Sequence, residues 1–498
     1  MDFGAIFRAL ANFGSLEIWL YMAIGIVLGL IFGVIPGISG MLAIALLLPF
    51  IYTMVPLKAF IMMMTILATQ YLGGAVSAIL LNIPGTAGNS ATVLDGFPMT
   101  QRGEGGRAIG AAQAAGALAH LITAIVSLFM VPVIIPLIIT LRSADMVFVI
   151  VLGIVFIGAL SGGSMVKGLM SGGLGLMVAL IGFQASTAAA RFTFGSLYLY
   201  DGIPLIPVML GLFAIPEMVS LATTGGAIAK TQVVIKGWSD VWRGVKDVFR
   251  CKALVLRTQL IGFIVGIAPG AGATPAAFIS YAHAKQTSKS PETFGKGNVE
   301  GVIAPESGNN ACEAGDLLTT LALGIPGSPP MALLLGAITM LGLAPGPEML
   351  TKHLDLSLTL LWAIGIAAVF GAIICLIAAP HLSKVAFIPG RVLVPLVLVL
   401  AFTGSFAYHK SIEDVLVMVI FGALGFLMKR FEFNRAGLLL GFVLGSIFEK
   451  YLFLALKTGG PFFFVRPISL GLIFFTIFVM AFGPVKELVQ RRRKVSRA

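Results

Sequence analysis

The chain has 498 residues, 58% of them hydrophobic and only 11% charged, and its mean hydropathy of +1.02 excludes an ordinary soluble protein, in which about a quarter of residues carry charge. The net charge of +12 gathers mainly in two stretches, Lys230, Lys236, Arg243, Lys246, Arg250, Lys252 and Arg257 in the middle and Lys486, Arg491, Arg492, Arg493, Lys494 and Arg497 at the end; this argues against a nucleic-acid partner and predicts that both stretches lie in the cytoplasm. Cys251, Cys312 and Cys375 show no paired spacing, so neither a disulfide framework nor a zinc site is expected.

In chain order, Met1 to Glu17 is a mixed amphipathic opening with one basic residue, Arg8, and no small-residue cleavage site before the first apolar run. No removable signal peptide is expected. Ile18 to Ile35 is the first apolar span, and similar spans recur at Asp145 to Leu160, Leu358 to Ala379 and Pro467 to Phe482, a pattern that predicts about 10–14 membrane elements. The runs are apolar on every face, which fits helices and not the alternating strands of a barrel. The expected fold is an all-α polytopic membrane protein. Residues 1–224 read as a first transmembrane repeat, 225–252 as a basic amphipathic cytoplasmic connector, 253–457 as a second repeat, and 458–498 as an extra helix with a basic cytoplasmic tail. Within the connector, Trp238, Val241, Trp242, Val245, Val248 and Phe249 share one helical face, with Arg243, Lys246, Asp247 and Arg250 outside it; this predicts an interfacial helix lying on anionic lipid. Arg191 and Arg391 flank apolar spans and read as snorkelling anchors.

Two cassettes occur twice in the same order. Gly33-Val34-Ile35-Pro36-Gly37-Ile38-Ser39-Gly40 returns as Gly266-Ile267-Ala268-Pro269-Gly270-Ala271-Gly272-Ala273, and Leu81-Asn82-Ile83-Pro84-Gly85-Thr86 returns as Leu323-Gly324-Ile325-Pro326-Gly327-Ser328. A Pro-Gly pair in an apolar run stops a helix, because proline lacks the amide hydrogen and glycine tolerates positive φ. Such breaks at corresponding places in two halves point to a transporter binding site. The opening of the first half carries one basic residue and that of the second carries many, so the halves are expected to face opposite sides of the membrane, as an inverted repeat. Leu210-Gly211 followed by Glu217 is weakly echoed by Leu444-Gly445 followed by Glu449.

The surroundings of the turns are small and hydroxyl-rich, with Ser39, Gly40, Thr86, Asn89, Gly272, Thr274 and Ser328. A helix restarting there presents unpaired amide hydrogens and its positive dipole end, which suits a carboxylate, while freed carbonyls can ligate sodium. The expected substrate site is therefore Pro36, Gly37, Ser39, Gly40, Pro84, Gly85, Thr86, Asn89, Pro269, Gly270, Gly272, Thr274, Pro326, Gly327 and Ser328. The bland alternative is close packing of helices through glycine. Glu306, Asn310 and Glu313 share a helical face, with Asp316 nearby; these four are the candidates for a coupling-ion site, against the alternative of a solvated face beside the polar stretch Lys285 to Asn298. His120, alone in an apolar run, reads either as a proton relay or as a histidine hydrogen-bonded between helices. Gly295-Lys296 lacks a following Ser or Thr, so no Walker-type phosphate loop is present, and Gly270-Ala271-Gly272 lacks the setting of a dinucleotide fingerprint.

On Gly33 to Gly40, Asn82 to Asp95, Gly266 to Thr274, Pro305 to Asp316 and Ile325 to Ser328, the chain resembles the large membrane subunit of the tripartite tricarboxylate transporters over nearly its whole length. The resemblance implies secondary uptake of carboxylates, citrate-like, dicarboxylic or aromatic, across a bacterial inner membrane. It also implies sodium or protons as coupling ion, a small membrane subunit of about four helices, and a periplasmic solute-binding protein. No cofactor and no catalytic residue is expected. The competing expectation is an intramembrane enzyme, such as a lipid-linked transferase, holding a metal on Glu306, Glu313 and Asp316; an enzyme has no evident reason to duplicate a Pro-Gly turn.

Overall fold

The computed structural model describes residues 4–36, 38–160, 164–184, 189–224, 238–385 and 390–480, with backbone alone for 157–160 and 379–385. The first half comprises α1 (Gly4–Ala11), α2 (Leu16–Val34), α3 (Gly40–Ile51), α4 (Pro56–Leu81), α5 (Val93–Gln101), α6 (Gly105–Ile139), α7 (Ser143–Leu160) and α8 (Met165–Ala179). A two-residue hairpin of β1 (Gly182–Phe183) and β2 (Ala190–Arg191) follows, then α9 (Leu205–Met209) and α10 (Ile215–Thr224), joined by one π turn. The second half comprises α11 (Trp238–Arg250), α12 (Lys252–Ile267), α13 (Ala273–Thr287), α14 (Glu300–Leu323), α15 (Pro329–Met340), α16 (Pro347–Thr351), α17 (Leu354–Val385), α18 (Gly390–His409), α19 (Ile412–Arg430) and α20 (Arg435–Gly459). A last apolar helix, Pro467–Met480, completes the described chain. Among the described residues seven helices are long and apolar enough to cross a membrane and five apolar helices are shorter. The chain is an all-α polytopic membrane protein.

Glycine spacing sets the central contacts. Gly25, Gly29 and Gly33 let α2 lie directly on the backbone of α4, and Gly262 and Gly266 do the same for α12 on α14. Four-residue spacing puts small residues on one helix face, which allows the close approach that stabilises helix pairs in lipid. The bland reading of glycine thus holds for these positions. Of the seven long apolar helices α4 is the most buried, with 94% of its apolar stretch inside.

Contacts between the halves come in matching pairs. Helix α1 packs on α17, where Trp362 Nε1 donates to the Ile6 carbonyl at 2.9 Å; its counterpart α11 packs on α6, where Arg107 Nε donates to Asp247 Oδ2 at 2.6 Å. Likewise α4 packs on α17 as α14 packs on α6, and α10 meets α18 and α19 as α20 meets α7 and α8. The weak echo near the ends of the halves joins this set. Glu217 pairs with Arg435 at 2.8 Å and Lys429 at 2.7 Å, across to the second half. Glu449 pairs with Arg191 through two bonds of 2.6 and 2.9 Å, across to the first.

Two expectations change. Arg191 is held by a bidentate carboxylate, so it is a cross-half tie and not only a lipid anchor. Asp247, expected outside the apolar face of α11, is buried against Arg107, and Val241, Gly244 and Val248 on that helix face α6. Of the expected apolar face, Trp238, Trp242 and Phe249 are exposed and Val245 is half-buried. Its periodicity is the same whether its partner is a membrane or another helix. Residues 225–237 of the connector, and the tail from 481, lie outside the described residues.

Candidate functional site

Each cassette breaks a helix as its residues dictate. Helix α4 ends because Asn82 turns left-handed (φ 60°, ψ 22°), and α14 ends on Gly324 in the same conformation (φ 69°, ψ 24°). Asn and Gly are the residues that reach this region most readily. Pro84 and Pro326 then bar a restart on the old axis. Helix α2 ends at Val34 and α12 at Ile267, and after each a short turn leads into a new helix at Gly40 or Ala273. Ser39, Thr86, Gly272 and Ser328 are the residues immediately before the four restarts.

These restarts meet. One cavity of about 410 Å³ is lined by Ser39, Thr86, Gly270, Gly272, Thr274 and Ser328 from the expected set, although they come from different halves of the sequence. The N-termini of α3, α13 and α15 all reach it, so three positive dipole ends converge on one space. No Asp, Glu, Lys or Arg lines it.

The remaining expected residues stand behind this wall. Pro36, Gly40, Pro84, Gly85, Asn89, Pro269, Pro326 and Gly327 do not line the cavity, and Gly37 lies outside the described residues. The glycines divide by task. Gly270 and Gly272 have φ of 77° and 71°, as a Pro-Gly turn was expected to need. Gly85 and Gly327 have no positive φ; a Cβ on Gly85 would strike the Gly33 carbonyl and the Ser77 hydroxyl, and one on Gly327 would strike the Asp316 carboxylate. They are there for close packing of the breaks against their own half.

Glu306, Glu313 and Asp316 of α14 are buried, which overturns the solvated-face alternative. Glu306 accepts from Thr92 Oγ1 at 2.5 Å, Asn89 Nδ2 at 2.9 Å and Asn310 Nδ2 at 3.2 Å. Asn89 in turn accepts from the cavity-lining Thr86 hydroxyl at 2.6 Å, so Glu306 is two hydrogen bonds from the cavity. Asp316 faces the Ser328 hydroxyl and the Cys312 thiol. Glu313 lies elsewhere, bonded at 2.8 Å to His120 on α6, whose other ring nitrogen meets the Gly116 carbonyl. The histidine is thus hydrogen-bonded between helices. Each carboxylate has its own partners, and among the described residues no three His, Cys, Asp or Glu side chains gather as a metal cage. That removes the geometric basis of the transferase reading.

Sequence reasoning missed Met41, Gln70, Tyr71 and Asn434, which also line the cavity. Gln70 is the informative one. Its Oε1 accepts from the Gly40 amide at 3.0 Å, holding the start of α3, while its Nε2 is buried without a partner. A glutamine in the middle of an apolar span was the available signal, since a polar side chain there is costly unless it is used.

The profile of the TctA family, described as the tripartite tricarboxylate transporter TctA family, matches residues 19–440. An uncharacterised 52.8 kDa protein in the TAR-I ttuC′ 3′ region of Agrobacterium vitis is 32% identical over 481 residues, covering 96% of this chain and 95% of that protein. An uncharacterised protein in the TAR-II ttuC′ 3′ region of the same organism is 35% identical over 215 residues, covering 43% of this chain and 89% of that protein. No solved structure matches the chain. With a family match that spans both duplicated cassettes and most of the length, the chain belongs to the TctA family of tripartite tricarboxylate transporters.

Proposed function

We propose that this chain is the large membrane subunit of a binding-protein-dependent secondary transporter that carries a carboxylate across a bacterial inner membrane, driven by a sodium or proton gradient. The observation that carries the proposal is the convergence of the four helix breaks on one uncharged cavity. A carboxylate there is held by amide hydrogens, hydroxyls and helix ends instead of by arginine, so it is stabilised without being trapped in a permanent ion pair. Of the three helix ends, α15 offers least to an anion, because Pro329 and Pro330 carry no amide hydrogen and the Ser328 hydroxyl is turned to Asp316. Substrate donors are then Ser39, Thr274, the Gln70 amide, the Met41 amide and the amides that begin α13, the other first amides of α3 being taken by Gln70 and the Ser39 carbonyl.

The coupling ion is assigned to the carboxylates behind the wall, Glu306 through Thr86 and Asn89, and Asp316 through Ser328, with Asn310 completing the Glu306 cluster. Glu313, paired with His120, is the fourth candidate. The two halves are read as an inverted repeat, from the charge difference of their openings and from the matched contacts of the fold. A small membrane subunit and a periplasmic solute-binding protein are the proposed partners. The test is uptake of a panel of labelled carboxylates in cells supplied with all three components, with sodium and pH gradients imposed separately. Uptake that ignores both gradients, or no uptake of any carboxylate, would overturn the proposal.

A further inference from the structure

A second cavity of about 460 Å³ adjoins the central one and shares Met41, Pro329 and Asn434 with it. Its character is opposite. Lys429, Glu432 and Arg435 line it, with Ser164 and Gly168 at the start of α8. Lys167, on the same turn of α8, reaches across to donate to the Phe431 carbonyl at 2.8 Å. Arg435 is fixed three ways: Nη2 on Glu217 at 2.8 Å, Nη1 on the Leu212 carbonyl at 3.2 Å, and its guanidinium over the Phe213 ring at 5.6 Å. Lys429 shares the same glutamate at 2.7 Å. One carboxylate thus faces two cations, and with Lys167 and Glu432 counted the surroundings carry one excess positive charge.

We propose that this space is a second, weaker binding site for the carboxylate substrate, a way station between the central cavity and the cytoplasm; the proposal rests on the carboxylate-transport reading above. Two observations place it on the cytoplasmic side. Lys429, Arg430 and Arg435 flank the turn between α19 and α20 and Lys167 lies beside it, a local excess of basic residues of the kind that marks cytoplasmic loops. Glu217 is also seven residues before Thr224, where α10 leads into the basic connector, a rise of about 10 Å. The central cavity has no fixed charge to draw an anion out. A site next to it with cations already half-neutralised by Glu217 does so without holding the anion tightly, because a bound carboxylate must share Lys429 and Arg435 with that glutamate.

The experiment is equilibrium binding of citrate, and of a dicarboxylate in parallel, to the purified full chain in detergent at low and high salt. Two classes of site are expected, the weaker one sensitive to salt. Lys429→Gln should weaken the second class about ten-fold or more, the loss of one charge-assisted hydrogen bond, and leave the first unchanged. Glu217→Gln should tighten the second class, since it removes the competing carboxylate. A purely structural role for the cluster predicts instead that Glu217→Gln and Lys429→Gln act in the same direction. A single class of site in the parental chain, or second-class binding indifferent to both variants, would overturn the proposal. Ser39→Ala and Thr274→Val separate it from the central-site reading: they remove proposed substrate donors of the central cavity and are expected to alter the first class and spare the second, and if the first class ignores them while the second responds to Lys429→Gln, the central reading fails and the way station stands.

Discussion

Thr86 lines the central cavity, yet its hydroxyl proton is already donated to Asn89 Oδ1 at 2.6 Å, and Asn89 passes two further bonds to Glu306 and to the Tyr71 carbonyl. Toward the cavity the oxygen therefore presents lone pairs, which suit a cation or a substrate hydroxyl and repel a carboxylate. Thr86→Val keeps the shape and removes that oxygen. Losing one bond to a charged group costs about 1.5–3 kcal/mol, or roughly 10- to 150-fold in affinity. The cation concentration for half-maximal uptake should rise by that factor. The carboxylate KM at saturating cation should change by less than about three-fold, because neutral acceptors contribute little to anion binding. Asn89 Oδ1 is left as a buried acceptor without its donor, a destabilisation of about 1–3 kcal/mol, small enough for the protein to remain folded; size-exclusion profiles and membrane abundance check this. Thr86→Ser restores the oxygen and should restore the cation response. Uptake by the three-component system, titrated once with cation and once with carboxylate, decides the matter. A KM for carboxylate that rises ten-fold or more while the cation response stays parental would refute the assignment of Thr86 to the ion.

Gly85→Val and Gly327→Val are expected to abolish uptake and also to lower thermal stability in detergent, because each side chain meets backbone or a buried carboxylate of its own half; Gly270→Ala, strained by φ of 77° at about 1–2 kcal/mol, should leave more activity than either. Glu306→Gln should stop cation-driven uptake with the protein still in the membrane, and parental transport by this variant would reduce Glu306 to a structural role. His120→Ala removes the partner of buried Glu313 and should cost about 3–5 kcal/mol, seen as a lower unfolding midpoint, whereas pairing it with Glu313→Leu should recover most of the loss. A cysteine placed at the outward Trp238 should react with an impermeant reagent only from the cytoplasmic side; labelling from outside intact cells would reverse the proposed topology.

How much of this was legible in the sequence depended on the range of the interaction. Membrane spans and helix breaks are local consequences of apolar runs, proline and glycine, and α2, α7, α17 and the four breaks fall where those residues put them. The meeting of Ser39, Thr86, Thr274 and Ser328 was legible only because the cassettes are duplicated, so that symmetry supplied the long-range information that local pattern lacks. Pairings across more than a hundred residues left no such trace: His120 with Glu313, Asn89 with Glu306, and Arg191 with Glu449. The amphipathic face of α11 was visible, but periodicity does not say whether lipid or α6 covers it.

The matched contacts also bear on how such a protein could move. Glu217 near the end of the first half is tied to Arg435 and Lys429 of the second, and Glu449 near the end of the second is tied to Arg191 of the first. If the halves are inverted in the membrane, these two ties lie toward opposite faces. Both are only partly exposed, with side-chain accessibilities of 18 to 36%, so each is worth more than a free surface pair and less than a fully buried one. A tie of intermediate strength can hold one face closed and still be exchanged for a substrate carboxylate, whereas a buried pair such as His120 with Glu313 would fix the helices permanently. The breaks line the proposed site, the glycine seams bring α2 onto α4 and α12 onto α14, and on the transport reading the partly exposed ion pairs are the contacts expected to change between one side and the other.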